Sequence, residues 1–227
     1  MTEQSKPLAI VTGAAGGIGL EIARELVRDH RVIGIVRRDA PELEALGAEL
    51  WRTDLTDYAA VGALLAGEAR IDLLVHNAAI APRYSVAEAT PEHWREVLEV
   101  DTVAPAVITS LALPALRAAA GTVVFIGSGA SRNPVAGSAV YAAAKHALLG
   151  IANTLRVEEH PNGIRVTTVA PGPTDTPMAR RDGDPSYDPS TRIDPRSVAR
   201  AVRLAADATD DAHIPDIIVR PRAETPR

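Results

Sequence analysis

Residues 8–19, which read LAIVTGAAGGIG, decide the fold of this chain. The first five residues are an apolar run that predicts a buried strand, and apolar residues then recur at helical spacing from Ile18 to Val27. Glycine between a strand and a helix lets the backbone turn sharply and lets an anion approach the free N–H groups of the helix. A strand, a glycine-rich turn, a helix and a second strand within about 30 residues are typical of a dinucleotide-binding unit. A turn that uses glycine only for its conformation is the alternative.

The rest of the chain repeats this alternation of strand and helix. Further short apolar runs predict six more strands, at residues 31–36, 49–52, 71–76, 121–126, 164–170 and 216–219. A capping residue followed by proline, a typical helix start, occurs at residues 90–91 and 194–195. The predicted fold class is therefore α/β: a doubly wound parallel sheet (Rossmann fold) of about seven strands with helices on both faces.

A single domain is expected over residues 1–227, because neither a repeat nor a linker divides the sequence. Residues 171–193 differ from the rest, with five prolines and little apolar periodicity, and are predicted to form a flap over the substrate. The helix that begins at Pro91 is expected to reach about residue 116, with Pro105 bending or interrupting it.

Composition excludes several classes of function. The net charge of −5 argues against nucleic-acid binding, and the absence of cysteine excludes thiolate catalysis and cysteine-ligated zinc. The six histidines show no metal-ligand spacing, so no metal site is expected. The first residues lack a signal pattern, and no apolar run approaches the roughly 18 residues of a membrane span. The sequence thus predicts a cytoplasmic protein without membrane contact.

The end of the second predicted strand indicates which dinucleotide binds. Proteins that bind NAD place Asp or Glu there for the ribose 2′-hydroxyl, whereas arginine can bind a 2′-phosphate through two hydrogen bonds. Here Arg37 and Arg38 follow the strand, ahead of Asp39. These two arginines favour NADP(H). A solvated arginine pair is the alternative, and it would leave NAD(H) open.

A phenol and an ammonium lie four residues apart, at Tyr141 and Lys145, on one face of a predicted helix. A free tyrosine has a pKa near 10, and a neighbouring cation lowers it toward the working range. The chain has 24 basic residues but only two lysines, Lys6 and Lys145, which indicates that the amine itself is needed. Ser128 stands 13 residues before the tyrosine, directly after the fifth predicted strand, where open α/β sheets bind ligands.

Together these motifs resemble the short-chain dehydrogenase/reductase family. The turn has that family's Thr-Gly-x-x-x-Gly-x-Gly spacing, and Ser128, Tyr141 and Lys145 match its catalytic set. The resemblance implies hydride transfer between NADP(H) and a carbonyl or secondary alcohol substrate. Two other functions stay open: an NAD-dependent alcohol dehydrogenase, and an NAD(P)-binding regulator without turnover.

The resemblance also implies the residues that contact the cofactor. They follow the first, third, fourth and sixth predicted strands, and Tyr141 and Lys145 join them at the nicotinamide end. The expected contacts are Gly13, Gly17, Ile18, Gly19, Asp54, Leu55, Asn77, Ala78, Pro171, Gly172, Thr174 and Thr176.

In two places the chain departs from the family pattern. Asp101 stands where the family has a catalytic asparagine, and it adds a charge near Lys145. The last strand leads into Arg220-Pro221-Arg222 rather than a glycine pair. By resemblance, the helices at about 91–116 and 138–159 would pair subunits into a homodimer or homotetramer.

Four further arginines follow predicted strand ends or lie in the flap and are candidates for selecting an anionic substrate. They are Arg83, Arg132, Arg180 and Arg181. Solvated surface arginines are the alternative.

Overall fold

The computed structural model describes residues 6–181 and 187–224, so residues 182–186 of the predicted flap lie outside the described part. Seven parallel strands form one sheet in the order β3-β2-β1-β4-β5-β6-β7. This arrangement confirms the predicted fold class. The strands are β1 (Leu8–Thr12), β2 (Arg31–Val36), β3 (Glu49–Arg52), β4 (Leu73–His76), β5 (Thr122–Ile126), β6 (Arg165–Pro171) and β7 (Asp216–Val219).

Helices cover both faces of the sheet. They are α1 (Gly17–Leu26), α2 (Pro41–Glu44), α3 (Tyr58–Leu65), α4 (Pro91–Leu98), α5 (Ala104–Ala119), α6 (Ala139–Glu159), α7 (Pro177–Arg181) and α8 (Pro195–Ala206). Apolar side chains of α1, α2 and α8 form one hydrophobic cluster against the sheet, and those of α3, α5 and α6 form a second one. Because both faces are covered, the strands are apolar along their whole length rather than in alternation.

The strand order places the ligand-binding edge. β1 pairs with β2 on one side and with β4 on the other, so the chain crosses from β1 to β2 in one direction and from β3 to β4 in the opposite direction. In open α/β sheets, ligands bind at the carboxyl ends of the strands beside such a point. The glycine turn after β1 and Asn77 after β4 both lie there.

The helix predicted from residue 91 is continuous but irregular. A π-helical segment, Glu99–Val103, joins α4 to α5, and Pro105 follows as the second residue of α5. Pro105 has no N–H to donate to the preceding turn. The wider π turn before it lets the helix continue past this missing hydrogen bond. Such turns re-aim side chains, and this one carries Asp101.

The helical stretch Pro91–Ala119 bears on the expectation that no segment could span a membrane. It has 29 residues and an 18-residue window of mean hydropathy 1.4, which is long and apolar enough to cross a membrane by length and composition. In this fold Ile108, Ala112 and Leu116 are buried in the cluster that covers the sheet. A core helix passes the same test, so the measure is weak evidence for a membrane span.

The flap contains more regular structure than its sequence predicts. It holds α7 and a 3₁₀ turn, Pro189–Thr191, and a bridge between Thr174 and Ile193 ties its two ends together. Asp175 accepts hydrogen bonds from the Nε and Nη2 atoms of Arg180, both at 2.9 Å, and from the hydroxyl of Tyr187. The described part of the flap is therefore fastened by polar contacts rather than by an apolar core.

Candidate active site

The turn after β1 requires glycine at three positions. Gly13 and Gly17 have φ angles of +66° and +55°, in the region that side chains disfavour. A Cβ atom on Gly19 would lie 2.4 Å from the carbonyl oxygen of Gly13 and 2.5 Å from Nδ2 of Asn77. The motif thus brings α1 closer to β1 than any side chain would allow.

The N-terminus of α1 suits an anion. No side chain caps it, and its first turn carries no acidic residue. The free N–H groups and the helix dipole therefore point at the space beside the turn, as a bound pyrophosphate requires. Thr176 is next to this space, because a Cβ atom on Gly17 would lie 3.5 Å from its Cβ. The residues present fit a dinucleotide cofactor.

Thr12 and Asn77 hold the ends of β1 and β4 together. The hydroxyl of Thr12 accepts hydrogen bonds from the backbone N–H groups of Asn77 and Ala78, each at 3.0 Å. The side-chain amide of Asn77 donates to the carbonyl oxygens of Thr12 and Gly13, at 3.0 and 3.1 Å. These polar groups of Asn77 and Ala78, both expected to contact the cofactor, are thus engaged in shaping the turn.

Arg37 lies at the carboxyl end of β2 with its side chain 70% exposed. Its nearest carboxylate oxygen is Oδ2 of Asp54, 4.0 Å from Nη1, so the guanidinium is available to another anion. The other oxygen of Asp54 accepts from the N–H and the hydroxyl of Thr56, at 2.9 and 2.8 Å. These hydrogen bonds, with a smaller contribution from Arg37, hold the pKa of Asp54 below its usual value. Arg38 is exposed, and Leu55 packs at the margin of the core.

Ser128 follows β5 in an extended conformation and begins a 3₁₀ turn, Gly129–Ser131. Its Oγ accepts the N–H of Ala130 at 3.1 Å, and its own N–H donates to Oγ of Ser131 at 3.1 Å. Among the hydrogen bonds of the described residues, none uses the Ser128 hydroxyl as a donor. That O–H is therefore available to an acceptor such as a carbonyl oxygen.

Lys145 joins α6 to the end of β5. Its Nζ lies 3.4 Å from the carbonyl oxygen of Ile126, two residues before Ser128, and 5.6 Å from the ring centroid of Tyr141. The four-residue spacing on α6 thus places the ammonium beside the phenol, as the sequence predicted. The backbone contact also fixes the Lys145 side chain relative to the strand that leads to the serine.

Asp101 makes a buried ion pair with Lys145. Its Oδ2 lies 3.3 Å from Nζ, and its Oδ1 accepts the N–H of Ile80 at 2.8 Å. Burial raises the pKa of Asp101. Burial alone would lower the pKa of Lys145, but the attraction of Asp101, with a smaller one from Tyr141, outweighs it and raises that pKa overall. The added charge expected near the lysine is therefore its direct counter-ion.

The segment after β6 is built largely on internal contacts. Thr174 is buried, and its hydroxyl donates to the carbonyl oxygen of Gly172 at 2.9 Å. Gly172 in turn lies against the C-terminal tail, since a Cβ atom there would be 2.8 Å from Cδ of Pro221. Of the predicted contacts in this segment, Thr176 is the one that lies beside the glycine turn.

The four candidate arginines for an anionic substrate have different surroundings. Arg132 pairs with Asp216 at 2.7 Å, and Arg180 pairs with Asp175. Arg83 is exposed, and the side chain of Arg181 lies outside the described part. Within that part, no cluster of three or more His, Asp or Glu side chains could hold a metal ion.

Sequence reasoning missed two residues near this edge. Arg220 lies beside Gly129, and its only sequence signal is its position after the last strand. His76 ends β4, is buried, and has its Nε2 2.8 Å from the hydroxyl of Thr109. Burial lowers the pKa of His76 to about 3, so the ring is neutral at ordinary pH.

An uncapped helix behind a glycine turn, at the point where the strand order reverses, defines a dinucleotide-binding α/β domain. A sequence profile described as short chain dehydrogenase matches residues 7–186, and the chain belongs to that family of NAD(P)-binding oxidoreductases. The chain is 37% identical over 185 residues to a cis-4-hydroxycyclohexanecarboxylate dehydrogenase of Sinomonas cyclohexanicum, covering 75% of this chain and 74% of that protein.

Two solved structures show the same fold. A metagenomic short-chain oxidoreductase in complex with NADP is 30% identical with a TM-score of 0.79, covering 98% of this chain and 100% of the other. A variant of actinorhodin polyketide ketoreductase with NADPH is 27% identical with a TM-score of 0.88, covering 98% and 99%.

Proposed function

We propose that the protein interconverts a carbonyl compound and the corresponding secondary alcohol with NADP(H). The observation that carries this proposal is the position of Lys145. Its ammonium lies 5.6 Å from the ring of Tyr141 and 3.4 Å from the backbone of β5, just before Ser128. A carbonyl oxygen that gains negative charge needs a proton donor and a hydrogen-bond donor. The phenol beside a buried cation can supply the first, and a hydroxyl whose proton is not already donated can supply the second.

Bound NADPH supplies the hydride for reduction of the carbonyl carbon. Tyr141 donates its phenolic proton to the carbonyl oxygen, and the Ser128 hydroxyl donates a hydrogen bond to the same oxygen. The ammonium of Lys145 favours the phenolate that remains. Asp101 keeps that ammonium protonated and in place.

Exchange of Tyr141 for Phe tests this mechanism. Turnover should fall by about 10²- to 10⁴-fold, because the proton donor is lost, while NADPH binding should stay within about twofold. Tyr58→Phe is the matched control, since Tyr58 begins α3 and pairs with Glu99 rather than with the site. Undiminished turnover in the Tyr141 variant would refute the proposed role of the phenol.

The preference for NADP(H) rests on Arg37. Its guanidinium is exposed at the end of β2, where a 2′-phosphate would lie, and 4.0 Å separates it from the nearest carboxylate oxygen. The two solved relatives with NADP and NADPH support this choice. Fluorescence titration with NADPH and NADH measures it directly, and tighter NADH binding would favour an NAD-dependent alcohol dehydrogenase instead.

A regulator that binds the cofactor without turnover is the other candidate. The Asp101–Lys145 ion pair is the feature that favours it, because a neutral pair assists a phenolate less than a lone cation does. A panel of ketones, quinones and imines, followed by NADPH absorbance, separates the two functions. The name of the Sinomonas relative supports including cyclic secondary alcohols and their ketones in that panel.

We also infer that two copies pair through α5 and α6. A groove between these helices is lined mainly by small and apolar side chains, including Ala106, Leu113, Gly150 and Ile151. Gly150 has open space in front of it, so Gly150→Arg should fill the groove and shift light-scattering mass toward the monomer. An unchanged mass would contradict this pairing.

A further inference from the structure

The C-terminal tail crosses the edge of the sheet that carries the proposed site. β7 runs parallel to β6, and Val219 pairs with Pro171, so both strands end at the same edge. The tail then turns back over β6, and Pro221 packs against Gly172. Arg220 is the first residue after β7, which places it at the carboxyl ends of the strands.

The guanidinium of Arg220 reaches across β6 to the loop that follows β5. A Cβ atom on Gly129 would lie 3.0 Å from Nη1 of Arg220, so this position has room for the guanidinium because it lacks a side chain. Gly129 directly follows Ser128, and consecutive Cα atoms are about 3.8 Å apart. The positive charge is therefore only a few ångströms from the backbone of the proposed catalytic serine.

Glu224, the ionic partner of Arg220, engages only one of the nitrogen atoms of the guanidinium. Nη2 donates to Oε1 of Glu224, four residues later in the same tail. Among the hydrogen bonds of residues 6–181 and 187–224, none involves Nη1, the atom that faces Gly129. Within the same residues, Oε2 of Glu224 is buried without a hydrogen-bond partner. A guanidinium can bind a carboxylate through two parallel hydrogen bonds. Within this pair one guanidinium nitrogen and one carboxylate oxygen are therefore left without a hydrogen bond.

We propose that Arg220 binds a carboxylate of the substrate and that Glu224 occupies this position in the free protein. The inference rests on the proposed function, because it assigns the substrate class of that same site: keto acids and hydroxy acids. Glu224 already presents a carboxylate to the guanidinium, and a substrate carboxylate of the same shape replaces it. Arg132, which lies in the loop after β5, is paired with Asp216 on β7 and keeps its partner.

Keto acids and their methyl esters test the assignment. Pyruvate, levulinate and 5-oxohexanoate place the carboxylate at increasing distances from the carbonyl, and each ester removes the charge with little change of shape. The unmodified enzyme should favour at least one acid over its ester in kcat/KM. Arg220→Gln should lower kcat/KM for that acid by about 10- to 100-fold, as expected for lost charge-assisted hydrogen bonds, and leave the ester within about twofold.

Two further variants separate recognition from a structural role. Glu224→Gln removes the competing carboxylate and should lower KM for the acid but not for the ester. Arg222→Gln, at an exposed arginine of the same tail, should leave kcat/KM unchanged for both the acid and the ester. Equal losses for acid and ester in Arg220→Gln, or an acid preference that survives it, would overturn the assignment.

Calorimetry with cyclohexanecarboxylate, which cannot be reduced, keeps this inference distinct from the proposed function. Binding that is lost in Arg220→Gln and kept in Arg222→Gln supports the carboxylate site even when every ketone fails as a substrate. Failure of all ketones and esters refutes the proposed function alone. Turnover of esters without any binding or preference for acids refutes the role of Arg220 alone.

Discussion

The carboxylate of Asp101 lies 3.3 Å from the ammonium of Lys145, and neither side chain reaches solvent, with 0% and 3% of their surfaces exposed. The pair carries no net charge, whichever of the two groups holds the proton. Removal of one partner from such a buried pair leaves an uncompensated charge, which is costly. The lysine proposed to assist Tyr141 therefore depends on Asp101 both for its position and for its protonation.

Asp101→Asn should shift the alkaline limb of the pH–rate profile to lower pH. The attraction of Asp101 raises the pKa of Lys145 above its usual value, and without it burial pulls that pKa down. The lysine then loses its proton at a lower pH than in the unmodified protein. The measurement is kcat/KM for carbonyl reduction over pH 7 to 11. A limb that stays in place or moves upward would contradict this role for Asp101.

Asp101→Ala is the companion variant. It also removes the acceptor for the N–H of Ile80, so it should destabilise the protein by about 3–5 kcal/mol, more than Asp101→Asn. Urea unfolding at pH 7.5 compares the two. Equal losses would show that the charge, rather than the hydrogen bond, accounts for the stability.

His76 should make the protein sensitive to mild acid. Its ring donates from Nε2 to Thr109, because the Thr109 hydroxyl itself donates to the carbonyl oxygen of Pro105, at 2.8 Å. Burial lowers its pKa from 6.5 to about 3 in the folded state. The unfolded chain thus takes up this proton first, and the stabilisation present above pH 6.5 is lost as pH falls toward 3.

The expected loss from this one group is about 2 kcal/mol between pH 7 and pH 5. Urea unfolding of His76→Asn should show a flatter pH dependence over that interval, even when the variant is less stable at pH 7. His146→Gln, at an exposed position on α6, serves as the control and should keep the original slope. Parallel curves for His76→Asn and the unmodified protein would rule out this source of acid sensitivity.

Gly19→Ala should damage both stability and cofactor binding. Its Cβ would lie 2.4 Å from the backbone oxygen of Gly13 and 2.5 Å from the Asn77 amide, so the turn must open. Overpacking of this kind costs about 1–3 kcal/mol, and the displaced Asn77 loses its hold on β1. Urea unfolding and NADPH titration measure the two effects. Gly16→Ala, with open space at its Cβ position, should leave the free energy of unfolding within about 0.5 kcal/mol of the unmodified protein.

Arg37→Gln should weaken NADPH binding by about 10- to 100-fold and leave NADH binding within about twofold, because only NADPH carries the 2′-phosphate. Arg28→Gln is a control for the loss of one positive charge, because Arg28 is exposed just after the C-terminal end of α1 and pairs with Glu25. Fluorescence titrations of both variants with both dinucleotides complete the comparison. Equal losses for NADPH and NADH would argue against a 2′-phosphate contact.

The sequence alone was sufficient for the features that depend on neighbours along the chain. Apolar runs predict the strands, glycine spacing predicts the turn after β1, and the four-residue interval predicts that Lys145 lies beside Tyr141. These features are local, because backbone conformation and helix periodicity are set within a few residues. Fold class and family follow from them, since few topologies accommodate such an order of strands and helices.

Tertiary structure alone decided which distant side chains meet. The π turn aims Asp101 at a lysine 44 residues later, and the parallel register of β6 and β7 brings Arg220 beside Gly129, 91 residues earlier. Neither contact leaves a periodic signal, because it depends on how separate segments pack rather than on spacing within one segment. The glycine turn and the Tyr–Lys pair could therefore be predicted from the sequence. The counter-ion of the lysine and the arginine beside the serine could not be predicted from it.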